Sequence, residues 1–346
     1  MNFRCVIRFP TGYLIRFRVD HSVHSEPLGE IVRRYAALSA TAVLVAAVVG
    51  PSNAQAVDSV LLPDLRQAPV GCPGGFSGDP ARCADWDVCV VADPDAPNGE
   101  CLGHGEPGRA VRLRFTTSAD NIGDGPLLIY GSRGSAAEPT MTARQAFQSA
   151  VDGSIPGSYA AAQHRVPATL YYEPAPAHTH WHLLGFEHFQ LRTPAGDAVV
   201  VDRKTGFCLG DRYEVGDEPA RRPVGRTTPE GRLAGYLRLN RCGHHAPEAL
   251  EVAEGISVGY GDDYKHTVDF QWLDLTGVPS GTYDVVNVVN SDRTLVEKSY
   301  DNNASSVAIT LRWPGGAERA PAEITAPPLV TVVRSCPGQE RCAHRG

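Results

Sequence analysis

Ala177-His178-Thr179-His180-Trp181-His182-Leu183-Leu184 decides how the rest of the chain is read. Three histidines recur at every second position. In an extended segment, side chains at i, i+2 and i+4 share one face, whereas on a helix the middle one would turn away from the outer two. Pro174 and Pro176 just upstream disfavour helix and bias their predecessors to extended backbone. The run therefore reads as a β-strand with His178, His180 and His182 on one face and Trp181 and Leu183 on the other. Three neutral imidazoles without a thiolate nearby are a donor set for copper, zinc, iron or nickel, with room for a further ligand. Spacing alone names none of these metals, and a histidine-rich strand whose rings merely hydrogen-bond is the structural alternative.

Outward from that strand, the chain looks built of similar short segments. Val111 to Thr116, Leu127 to Tyr130, Phe186 to Leu191, Ala198 to Val201, Thr267 to Leu275, Tyr283 to Val289 and Ser306 to Trp313 are β-branched, aromatic or alternating. Turn signals such as Asp124-Gly125-Pro126, Pro279-Ser280-Gly281 and Asp301-Asn302-Asn303 fall between them. The expectation is an all-β, sandwich-like domain with long loops and few short helices. Met141 to Val151 is the best candidate for a helix.

The N-terminus is read apart from the fold. Arg33-Arg34, the apolar and small stretch Tyr35 to Gly50, and Ala54-Gln55-Ala56 have the order of a secretory signal peptide cleaved near Ala56. The apolar stretch is short of the roughly 20 residues a membrane span needs, so the expected mature chain has no stable span. The Arg-rich prelude before it suggests a true start near Val32. Six of the 32 basic and three of the 39 acidic residues lie before residue 57, which leaves 26 and 36 and a formal charge of −10. That charge argues against a nucleic-acid partner and for cationic ones. Of nine cysteines only Cys5 lies in this segment. The other eight, Cys72, Cys83, Cys89, Cys101, Cys208, Cys242, Cys336 and Cys342, read as four disulfides of an exported protein, with their connectivity open. A zinc knot in the first four is disfavoured because no C-x2-C pair occurs. Four regions follow: 1–56, prelude and signal; 57–110, a disulfide-stapled, loop-like segment; 111–313, the main domain; and 314–346, a Pro-rich linker with a tail closed by Cys336 and Cys342.

Downstream of the histidines come Lys204-Thr-Gly-Phe-Cys208-Leu-Gly-Asp211, then Gly255-Ile-Ser-Val-Gly-Tyr-Gly-Asp-Asp-Tyr264-Lys-His-Thr-Val-Asp269-Phe-Gln271-Trp272-Leu-Asp274, Val278-Pro-Ser-Gly281-Thr-Tyr283 and Ser299-Tyr300-Asp301-Asn302-Asn303. In this order the blocks resemble the catalytic domain of lysyl oxidases, from about His178 to Leu311 and weakly over Leu61 to Leu127, as a distant, bacterial-type member. The resemblance implies copper on His178, His180 and His182. It further implies a lysine tyrosylquinone made from Lys204, four residues before Cys208, and Tyr264, eight before Trp272. The implied activity is oxidation of a primary amine, on a protein lysine or a small molecule, to an aldehyde with O2, releasing hydrogen peroxide and ammonia outside the cell.

One feature independent of the family supports Lys204: the chain has only three lysines, Lys204, Lys265 and Lys298, against 29 arginines. A permanently charged guanidinium cannot serve as a nucleophile where an amine can. For the general base, Asp262 is the first choice, with Asp263 and His266 beside it. The family's Trp-His-x-Cys before the trio is replaced by Pro174-Ala-Pro-Ala177, the next block is one residue shorter, and Lys265-His266 stands where the family has Gly-Ala. Two rivals remain. A cupin-like metal oxygenase would use His180, His182 and Glu187 but lacks the framing glycines; a non-catalytic exported copper-binding β-sandwich would never form the quinone.

Overall fold

A computed structural model describes residues 6–8, 14–16, 59–175, 178–202, 204, 206–216, 222–223 and 225–342. The expected signal segment, its cleavage site at Ala56 and Cys5 lie outside them. The chain divides into two compact units, Met1–Ser52 and Asn53–Gly346. In the first, Val6–Arg8 and Leu14–Arg16 pair as an antiparallel hairpin.

The second unit is all-β, as the alternating segments led us to expect, with antiparallel pairing throughout. Its six-stranded sheet runs Gly206–Phe207, His180–Leu184, His164–Glu173, Thr140–Gln145, Leu127–Ser132 and Glu251–Ile256. A five-stranded sheet runs Ala198–Val201, Glu187–Arg192, Gly281–Val289, Ala304–Arg312 and Leu329–Pro337. Tyr213–Glu214, Tyr260–Tyr264, Thr117–Asn121 and Leu65–Gln67 make a four-stranded sheet, and Trp272–Asp274, Ala110–Phe115 and Trp86–Val91 a three-stranded one. Inward-facing side chains from these sheets merge into one core that includes Phe115, Leu170, Trp181, Phe189, Phe207, Val285, Val307 and Ile309. The edge-to-face contact of Phe115 with Phe189 (5.2 Å) ties Ala110–Phe115 to Glu187–Arg192, and that of Phe186 with Phe207 (5.9 Å) ties the start of the latter to the strand after Lys204.

Several local expectations are corrected. Met141 to Val151 is not helical: Thr140–Gln145 is a strand in the middle of the six-stranded sheet. Met141, Ala143 and Gln145 alternate inward, a period of two that pairing on both sides enforces over the helix propensity of Met, Ala and Gln. The one α-helix among the described residues, Pro229–Leu239, went unpredicted. Its start is nonetheless written in Thr228, whose side chain accepts from the Gly231 N–H at 3.1 Å, and in Pro229 in the first turn. The expected strand over Thr267 to Leu275 shrinks to Trp272–Asp274 because Phe270 takes a left-handed backbone, φ 62°, and turns the chain. The disulfide-stapled segment is not all loop, since Trp86–Val91 is one of its strands. Beyond the Pro-rich stretch, Leu329–Pro337 adds an edge strand to the five-stranded sheet.

All eight cysteines after residue 57 are paired: Cys72–Cys83, Cys89–Cys101, Cys208–Cys242 and Cys336–Cys342. Among the described residues, no helix is long and apolar enough to cross a membrane.

Candidate metal centre

The strand carrying the histidines begins at His180, so only His180 and His182 share a pleated face. His178 precedes it, and Thr179 takes a left-handed backbone with φ 48°. This corrects the simple picture of three ligands on one strand, yet the rings still converge. Centroids lie 5.5 Å apart for His178 and His180, 5.0 Å for His178 and His182, and 4.6 Å for His180 and His182. One nitrogen from each lies within 4.8 Å of the others. An ion about 2 Å from each imidazole spaces its donors about 3 to 4 Å apart, so small ring rotations would seat one.

The surroundings favour neutral, correctly oriented rings. Tyr171 donates its hydroxyl proton to Glu173 Oε2 at 3.0 Å, so its oxygen is left to accept from His182 Nδ1 at 3.2 Å. That relay puts the ring proton on Nδ1 and frees the Nε2 lone pair, the orientation a metal-bound histidine needs. His182 Nε2 then faces His180 Nε2 at 2.8 Å, a contact that requires a proton or a cation between the two nitrogens. Burial lowers the pKa of all three histidines, His180 to about 4, so they are uncharged at neutral pH. The donor set therefore fits a borderline metal such as copper.

Gly206 shows how tightly the next strand packs here. A Cβ on it would lie 2.7 Å from the Tyr171 ring and 2.8 Å from His182 Nδ1. This close approach brings in Lys204, which is 3% exposed, with Nζ 5.2 Å from the centre of the Tyr264 ring and 4.8 Å from that of Phe207. Burial pushes the Lys204 amine down to about 8, against the pull of the carboxyls of Glu187, Asp269, Asp262 and Glu173.

Tyr264 ends the Tyr260–Tyr264 strand and packs edge-on against Phe207, centroids 5.1 Å apart. Its hydroxyl oxygen lies 2.8 Å from the Cys208 carbonyl and 2.9 Å from Asp262 Oδ2, so its one proton is shared between these two acceptors. Burial raises Tyr264 well above the usual phenol range and Asp262 to about 8. Asp262 also accepts from the Gly210 N–H at 3.1 Å and lies 3.6 Å from Arg212.

The other two base candidates are directed elsewhere. Asp263 accepts from the Gly74 N–H at 3.3 Å, and His266 Nδ1 lies 3.1 Å from Asp85. Asp269 was missed as a candidate although it stands in the motif. It lies 3.3 Å from His178 Nε2, placed there by the left-handed turn at Phe270. Tyr171, Glu173, His178, His182, Lys204, Gly206, Asp269 and Phe270 line one cavity of about 230 Å³. The signal that could have found Asp269 is its five-residue distance from Tyr264; Glu173 gave none before the pairing of its strand with the histidine strand was known.

Comparison with known proteins bears on the identity of this arrangement. The sequence model of the lysyl oxidase family matches residues 235–314, a stretch that holds Tyr264 but not the histidines or Lys204. Lysyl oxidase homolog 3 of Homo sapiens is 30% identical over 132 residues, 37% of this chain and 14% of that protein. Lysyl oxidase homolog 2 of Bos taurus is 30% identical over 127 residues, covering 36% of this chain and 13% of that one. Lysyl oxidase homolog 2A of Danio rerio is 30% identical over 127 residues, covering 36% and 14%. The matched part thus spans about a seventh of the length of these relatives. The family model and these relatives agree: over the matched stretch the chain is similar to the lysyl oxidase family.

Proposed function

We propose that this chain is an exported, copper-dependent amine oxidase that uses a lysine tyrosylquinone derived from Lys204 and Tyr264. It would convert a primary amine, from a protein lysine or a small molecule, to an aldehyde with O2 as oxidant, releasing hydrogen peroxide and ammonia. One observation carries this reading: the buried amine of Lys204 lies 5.2 Å from the Tyr264 ring, and the cavity it lines is also lined by His178 and His182. Copper on His178, His180 and His182 would supply oxidation of the Tyr264 ring by O2, and the quinone would supply the carbonyl that takes up the amine substrate.

The chain's own residues have definite tasks. Tyr171 and Glu173 fix the His182 tautomer and so present Nε2 to the ion. Lys204, with its pKa lowered to about 8, loses its proton far more readily than an ordinary lysine and can act as a nucleophile where arginine could not. Asp262 holds the Tyr264 hydroxyl in place through its Oδ2, 2.9 Å away. Because Asp262 already serves Tyr264, Asp269 is the better placed carboxylate for a substrate in the cavity. Glu173 and Asp269 together give the cavity an acidic wall that suits a cationic amine. The paired cysteines fit an oxidising compartment.

Lys204→Arg tests the reading. We expect amine oxidation to disappear with copper content unchanged, while copper-loaded wild type gives a Lys204–Tyr264 cross-linked peptide by mass spectrometry. Copper without the cross-link in wild type would leave a binding module only, and unchanged turnover in the variant would sink the mechanism.

A further inference from the structure

His178 and His182 are 6% and 3% exposed, so an ion must be brought to them from outside. Two further histidines stand at the rim. His244 and His245 are exposed, on the loop after Cys242. The His244 ring centroid lies 6.2 Å from that of half-buried His180 and 3.7 Å from that of His245. Imidazoles thus succeed one another from solvent, through His245, His244 and His180, to the buried nitrogens of the trio.

The loop is fixed against the trio rather than draped over it. The Trp181 N–H donates to the Cys242 carbonyl (2.8 Å), the His245 N–H to the Thr179 carbonyl (2.7 Å), and Trp181 Nε1 to the Ala246 carbonyl (3.1 Å). Cys242 is bonded to Cys208, four residues past Lys204. Within four residues the loop holds three left-handed backbones: Cys242 (φ 46°), Gly243 (φ 65°) and His245 (φ 59°). Such conformations cost about 1 kcal/mol or more at non-glycine residues and persist where the surroundings over-determine them. Here they turn two imidazoles toward the histidine strand.

We propose that His244 and His245 form an outer copper-capture position that passes the ion through His180 to the trio, an inference resting on the copper reading above. Two exposed imidazoles bind Cu(II) loosely and quickly, without the desolvation that the buried trio demands. Holding the ion beside His180 raises its local concentration at the mouth of the site. The ion changes ligands only, with no electron transferred.

The test follows copper uptake rather than turnover. Metal-free protein is mixed with a limiting amount of Cu(II), with uptake read by tryptophan fluorescence quenching and the end state by electron paramagnetic resonance. The variant is His244→Gln with His245→Asn; both positions are exposed, and asparagine tolerates a left-handed backbone. Wild type and variant should reach the same single ion and the same final spectrum, the variant roughly tenfold more slowly. Equal uptake rates would overturn the proposal, as would an altered final spectrum, which would make His244 a resident ligand. Should wild type take up no copper, the failure would lie in the copper reading itself.

Discussion

The carboxyl of Glu297 is buried and accepts three hydrogen bonds, from the Leu65 N–H (2.8 Å), Asn290 Nδ2 (2.6 Å) and Asn303 Nδ2 (2.7 Å). Burial outweighs them and raises its pKa from 4.5 to about 7. Between those two values the folded chain keeps a proton that the unfolded chain has released. Stability from this group is therefore fully present at the acid end and falls as pH rises toward 7, by roughly 3 kcal/mol in all. Glu297→Gln should flatten that part of the profile, measured by denaturant unfolding from pH 4.5 to 7.5; parallel profiles would refute the assignment. Glu297 lay beyond sequence reading because its donors come from positions 65, 290 and 303, which only the fold assembles. Lys204 was legible for the opposite reason. Its signal is local, a lysine four residues before Cys208 in a chain with only two other lysines against 29 arginines. Asp262 was singled out for the substrate's proton, and the structure sets it against the Tyr264 hydroxyl instead.

Gly206–Phe207 is only two residues long, yet its pairing with Leu183 and Leu184 sets the distance from Lys204 to the histidines. Gly206→Ala would set a methyl 2.7 Å from the Tyr171 ring and 2.8 Å from His182, so these side chains would have to shift. We expect a loss of about 1–3 kcal/mol from overpacking, together with weaker copper binding because the displaced ring is a ligand. Thermal melts and a copper titration read the two effects separately, and wild-type affinity in the variant would show that the contact does not position His182. At this scale the sequence was readable wherever a strand alternates or carries β-branched residues, as in Ala198–Val201 and Gly281–Val289. It misled where propensity and partner disagree. Thr140–Gln145 contains helix formers held extended by strands on either side. In Pro229–Leu239, Gly231 and Gly235 dilute a helix that Thr228 caps and that Ala234 and Leu237 anchor.

Across the whole molecule the four disulfides differ in what they constrain. Cys208–Cys242 closes 34 residues, against six for Cys336–Cys342. On chain entropy alone, removing the first should cost about 4 kcal/mol and the second about 2 kcal/mol. Their effects on function should diverge further. The Cys208 carbonyl accepts the Tyr264 hydroxyl and the Cys242 carbonyl accepts the Trp181 N–H, so this one bond joins the cofactor side of the site to its metal side and carries the His244 loop. Cys336–Cys342 instead closes the edge strand of the five-stranded sheet. Replacing both members of each pair by alanine, at a temperature where both proteins remain folded, should separate the two roles. The Cys208→Ala, Cys242→Ala chain should lose Lys204–Tyr264 cross-linking, whereas the Cys336→Ala, Cys342→Ala chain should cross-link at the wild-type rate. Equal cross-linking in the two would mean that the sheets hold Lys204 and Tyr264 together without this bond, leaving it a purely stabilising role.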